Sequence, residues 1–116
     1  MNEFDLIQSY FNWEITDPSI ELGVGDDAAL FNLNPGHQLV TSTDTLVEGI
    51  HFFKDASPSD IAYKSLAVNL SDIAAMGAIA KCFTLSLTLP KLDKKWLEQF
   101  SSSLKESSKL FHVNLI

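Results

Sequence analysis

Basic charge is what this sequence has least of. Eight lysines and arginines stand against fifteen acidic residues, a formal net charge of −7. Nucleic-acid backbones are bound by basic faces, so this balance argues against them as partners. Cysteine is nearly absent: Cys82 is alone, which rules out an internal disulfide and a thiolate metal site. Set in an apolar strand pattern, it reads as a buried, inert thiol compatible with a reducing compartment. Long hydrophobic runs are missing too, none nearing the roughly 18 apolar residues of a membrane span. The N-terminus, Met1-Asn2-Glu3-Phe4-Asp5-Leu6-Ile7, has neither the basic region nor the apolar run of a signal peptide. The expectation is a soluble, cytoplasmic protein with no membrane partner. Two phosphate-binding signatures are also lacking, the Walker-type Gly-x-x-x-x-Gly-Lys-Ser/Thr and the kinase glycine loop; Gly23-Val24-Gly25 is too short for either.

What remains is an ordinary globular composition, 46% apolar and 20% charged over 116 residues, enough for one domain. Phe4, Ile7 and Phe11 share a face of a short helix over residues 3–11. Residues 21–31 read as a strand interrupted by Gly25-Asp26-Asp27. After the Asn34-Pro35-Gly36 turn, residues 38–48 read as its hairpin partner. Ser57-Pro58-Ser59-Asp60 starts a helix that runs to about Met76 and stops at Gly77. Its apolar face is Ile61, Leu66, Leu70, Ile73 and Ala74; Ser65, Asn69 and Asp72 form a polar stripe. Residues 82–89 alternate, with Phe83, Leu85, Leu87 and Leu89 facing the helices. Asp93 caps a helix over 94–111 that buries Trp96, Leu97, Phe100, Leu104 and Phe111 and leaves Ser101, Ser102, Lys105 and Ser108 solvated. Val113 to Ile116 opens a further strand, either a short edge strand or the start of something longer. The pattern predicts an α+β fold, an α/β sandwich: a mixed sheet of about four strands with helices on one face and the other face uncovered.

The stretch from Thr41 to Phe52 carries the chemistry. It has strand-forming residues, yet its centre, Ser42-Thr43-Asp44-Thr45, is a run of oxygen-bearing side chains. A carboxylate among hydroxyls is either solvated at a sheet edge or set against a cation, and the strand alone leaves both readings open. Asp26-Asp27 and Asp72 have bland accounts of their own, as turn residues and as a solvated position or a partner of Lys64 or Lys81. Taken together, the three sites suit a hard cation that bridges carboxylates to a polyphosphate.

Three segments in order resemble the thiamine-monophosphate kinase family. They are Gly23-Val24-Gly25-Asp26-Asp27-Ala28-Ala29-Leu30, Ser42 to Phe52, and Tyr63 to Ala78 with its Asn69-Leu70-Ser71-Asp72 centre. That family sits beside aminoimidazole ribonucleotide (AIR) synthetase, selenophosphate synthetase and a carbamoyl-dehydrating hydrogenase maturation factor, and Leu46 to Phe52 favours the thiamine enzymes. The resemblance implies ATP-dependent phosphorylation of thiamine monophosphate to thiamine diphosphate. Asp27, Ser42, Thr43, Asp44 and Asp72 would be Mg2+ ligands, with Asp27, Asp44 and Asp72 around the ATP phosphates. His51 would contact the substrate phosphate; on chemistry alone it is a loop residue. The resemblance also implies that residues 1–116 form an N-terminal ATP- and magnesium-binding domain whose sheet pairs in a homodimer. A Gly-Gly-Asp-Thr motif and a C-terminal domain follow the position of Ile116 in that family, so the 116 residues alone should be inactive. Another ATP-using member of the superfamily and a non-catalytic dimerisation domain are the alternatives.

Overall fold

The computed structural model describes residues 1–116 and contains three helices and four very short strands. Helix α1 (Glu3–Tyr10) is opened by a capping box, in which Asn2 accepts from the Asp5 amide and Asp5 accepts from the Asn2 amide. Strand β1 (Ile20–Leu22) pairs antiparallel with β2 (Leu30–Phe31). Helix α2 (Pro58–Ala75) begins as its sequence dictates, with the Ser57 side chain accepting from the Asp60 amide and proline in the first turn. It ends at Met76, followed by Gly77 at φ +70°, a left-handed conformation that only glycine adopts without strain. Ser57→Ala is expected to lower stability by about 1 kcal/mol through loss of this cap, read as a shifted urea midpoint at unchanged slope.

Strand β3 (Cys82–Phe83), helix α3 (Lys94–Leu110, capped by Asp93) and β4 (Asn114–Leu115) form one β-α-β unit with parallel strands. The core lies where α2 and α3 pack together. Ala62 and Leu66 of α2 meet Leu97, Phe100 and Leu104 of α3, with Phe11, Val113 and Leu115 closing the ends. Phe83, Leu85, Leu87 and Leu89 pack against this cluster while Thr84, Ser86 and Thr88 stay exposed, as their alternation predicts. Asn114, buried, ties the end of the chain to its beginning: its side chain accepts from the Thr16 amide at 2.7 Å and donates to the Thr16 hydroxyl at 3.3 Å. Cys82 is half-buried, and burial, aided by the charge of Asp17, pushes its thiol pKa up, as an inert thiol requires.

The α+β class holds, but the strands differ from the expectation. There is no four-stranded sheet; β1 and β2 form one two-stranded ladder, β3 and β4 another. The hairpin partner of β1 is β2, inside the stretch read as one interrupted strand, because the glycines and acids of 23–29 turn the chain back. Residues 38–46 make no backbone–backbone hydrogen bond, nor do residues 84–89. Both stretches have strand composition, but a strand forms only beside a partner edge, and neither has one here. The helical faces need correction at their rims. Phe4 is 80% exposed and Phe111 36% exposed, so neither belongs to the core. Ser101 and Ser108 are buried, not solvated. They continue the stripe of Leu97 and Leu104 at helical spacing, and each hydroxyl donates back to a carbonyl of its own helix, Glu98 and Lys105.

Candidate functional site

The extended stretch after β2 crosses α2 so that residues far apart in sequence come together. Asp44, from the unpaired stretch, lies within hydrogen-bonding reach of Asp72 on the polar stripe of α2. Asp44 is exposed as a residue, yet desolvation of its carboxyl raises the pKa above 3.8; the hydrogen bond and like charge of Asp72 raise it further, and the charge that His51 carries when its ring is protonated opposes both. Two carboxylates thus share one place, where their like charges repel and a cation would relieve the repulsion.

His51 reaches this place through a tight loop. The amides of Ile50 and His51 donate to Val47 O at 3.1 and 2.9 Å, and the Gly49 amide donates to Phe52 O at 2.8 Å. Gly49 sits at φ +80°, which permits the reversal. The Val47 amide donates to His51 Nδ1 at 2.8 Å. A backbone N–H can only donate, so Nδ1 carries no proton and the neutral ring presents Nε2–H outward. Asp44, Thr45, Leu46, His51, Lys64 and Val68 line a shallow hollow of about 220 Å3. A neighbouring hollow of about 240 Å3, walled by Phe52, Phe53, Ala56 and Ile61, shares His51 and Lys64 with it.

Of the residues picked from sequence, Asp44, Asp72 and His51 therefore converge. Ser42 and Thr43 precede Asp44 on the same stretch and are exposed. Asp27 is exposed in the β1–β2 connection, its amide bonded to the Asp26 carboxylate at 2.8 Å, and is not brought to the pair. No three His, Cys, Asp or Glu side chains come close enough in this chain to hold a metal ion. Lys64, read only as a possible partner of Asp72, turns the other way, its ammonium donating to His51 O. Neither that contact nor the Val47–His51 bond has a sequence signature, since both depend on how a glycine-containing loop closes.

The comparison with known proteins places this α+β domain in a class. Residues 25–116 match the family described as AIR synthase related protein, N-terminal domain, and the chain belongs to that family. Within it, the particular likeness is to thiamine-monophosphate kinases. The chain is 50% identical to that of Haemophilus influenzae over 117 residues, covering 100% of this chain and 36% of the relative. It is 51% identical to that of Escherichia coli K12, covering 98% and 35%, and 46% identical to that of Bacillus subtilis, covering 100% and 36%. The crystal structure of the Stenotrophomonas maltophilia thiamine-monophosphate kinase superposes with a TM-score of 0.79 at 43% identity, over 85% of this chain and 31% of that one. The chain thus spans about a third of the length of these relatives. No helix is long and apolar enough to cross a membrane.

Proposed function

We propose that these residues form the N-terminal, nucleotide-facing part of a cytoplasmic enzyme that transfers the γ-phosphoryl group of ATP to thiamine monophosphate, giving thiamine diphosphate. The observation that carries this reading is the convergence of Asp44 and Asp72. A helix and a loop spend conformational freedom to hold two carboxylates where they repel, an arrangement that a cation relieves and that a purely structural domain has no use for. The all-oxygen donor set, Asp44 and Asp72 with the Ser42 and Thr43 hydroxyls adjoining, suits Mg2+, and Asp27 would join it if the β1–β2 connection closes over bound ATP. Bound Mg2+ would neutralise polyphosphate charge as transfer proceeds. The chain's own residues supply orientation: the acids fix where the ATP phosphates lie, and His51 Nε2–H is free to donate to an oxygen of the acceptor phosphate.

A homodimer is part of the proposal. The chain exposes 8389 Å2, against about 6,300 Å2 for a folded monomer of this mass. That excess exceeds the roughly 800 Å2 per partner of a standard interface. Leu39 and Val47 in the unpaired stretch, Ile50 at the loop tip and Phe53 beyond it are all exposed. The unpaired edges of 38–46 and 84–89 offer a second copy a place to add strands.

The test is turnover of ATP and thiamine monophosphate by a chain of the relatives' full length, followed as thiamine diphosphate. Formation of the product with the 116-residue chain alone inactive is expected. No product from the full-length protein, with turnover of an AIR synthetase or selenophosphate synthetase substrate instead, would move the assignment elsewhere in the superfamily.

A further inference from the structure

We propose that Lys64 is a positioning residue that fixes the orientation of His51 relative to the Asp44–Asp72 pair. The inference about position stands on the geometry; its consequence for catalysis rests on the function proposed above. A surface lysine ordinarily runs its stem along the protein and leaves its ammonium in water. Lys64 instead turns back across its helix and donates to the carbonyl of His51, thirteen residues earlier in the chain. That carbonyl has no backbone donor of its own. The ring of hydrogen bonds from Val47 to Phe52 makes the loop a rigid unit internally, but only the lysine ties this unit, at the histidine itself, to a helix.

The anchoring helix matters. Lys64 lies between Ala62 and Leu66, which are 0% and 3% exposed, so its Cα is held by the core. Asp72 stands on the same helix about 12 Å further along, at 1.5 Å per residue. One rigid element therefore sets both the acid and, through Lys64, the histidine. Lys64 is also the only cation lining either hollow, and both hollows share it with His51. Its removal frees the loop to rotate about its ends and carries Nε2–H away from the place where an acceptor phosphate would meet the acids.

The test compares Lys64→Met, which keeps the stem and removes the donor, with Lys64→Arg, which keeps a donor, both in the full-length protein. NMR of the His51 ring is the first readout, with its signals assigned by His51→Asn. The ring should keep a bare Nδ1 in all three proteins, because the Val47 amide fixes it, whereas its proton contacts to the α2 side chains that line the same hollow should be present in wild type and Lys64→Arg and lost in Lys64→Met. Kinetics is the second: Lys64→Met should raise the KM for thiamine monophosphate about tenfold, as loss of a supporting contact does. The KM for ATP and kcat should stay within about twofold, and arginine should restore most of the loss. Unchanged contacts between the His51 ring and α2 in Lys64→Met overturn the proposal, and so does a fall in kcat and both affinities that tracks a lowered melting temperature. A wild-type protein that makes no thiamine diphosphate overturns the function proposed above and leaves the NMR result to decide the role of Lys64.

Discussion

Asp44→Asn in the full-length protein is expected to lower thiamine diphosphate formation by on the order of 10² to 10³, as loss of one charge-stabilising group does, while raising the melting temperature of the ligand-free protein. The two effects have one cause. The carboxyl of Asp44 is crowded and faces Asp72, so its pKa in the folded chain lies above 3.8. The folded state then holds a proton that the unfolded chain releases at lower pH. Between 3.8 and the raised value, stability falls as pH rises, and above that window the penalty is constant. Asparagine carries no charge and escapes the penalty at neutral pH. Asp17 has the opposite sign: the Ser19 hydroxyl and amide hold its pKa down, so its contribution is present above the unfolded value and is lost as pH falls through the folded one. Adding Mg2+ with ATP should raise the melting temperature of the wild type and leave Asp44→Asn nearly unmoved, because a ligand stabilises only the state that binds it. A variant that melts lower than wild type in the absence of ligand would show that Asp44 is held by favourable contacts and that the two acids are not in conflict.

This conflict was half legible in the sequence. The run Ser42-Thr43-Asp44 and the stripe ending at Asp72 announced oxygen donors where apolar residues would pack better, and the structure does bring Asp44 and Asp72 together. The helices could be placed almost to the residue, since Ser57-Pro58 and Asp93 mark their starts in side-chain chemistry that acts within one turn. The strands could not. Val40, Thr43 and Val47 have strand propensity, but a ladder needs a second edge, and whether one is present depends on chain that lies elsewhere, here in no neighbouring segment. Asp27 and the Lys64 contact illustrate the same limit at the site. Each depends on the path of a glycine-bearing connection between elements, which local propensity does not fix. The serines of α3 fail for a different reason. Spacing placed Ser101 and Ser108 on the buried stripe, whereas residue type argued for water, and spacing prevailed because a hydroxyl can satisfy itself on its own helix.

The same distinction between spacing and residue type sets the largest expected loss of stability. Phe100→Ala in the 116-residue chain should cost about 3–5 kcal/mol, the range for truncating a buried phenylalanine, whereas Phe4→Ala should fall within about 0.5 kcal/mol. Both residues were placed on apolar helical faces from sequence. Phe100 is 2% exposed, its ring stacked on Trp96 at 4.8 Å and set edge-on to Phe11 at 6.4 Å, while Phe4 is 80% exposed. Removing the Phe100 ring opens a void between α1 and α3 that their backbones cannot close, because Leu97 and Leu104 on either side already seat α3 against α2. Only nine apolar residues are buried in this chain, so its stability should sit near the lower end of the usual 5–15 kcal/mol. A loss of that size then leaves little of the population folded, and the urea transition of Phe100→Ala should have almost no native baseline at 25 °C. Association through the exposed strand edges would add stability that a core truncation does not directly remove. The free-energy cost of Phe100→Ala should therefore not change with association, while the urea midpoint should rise with protein concentration, and a midpoint independent of concentration would count against the proposed interface.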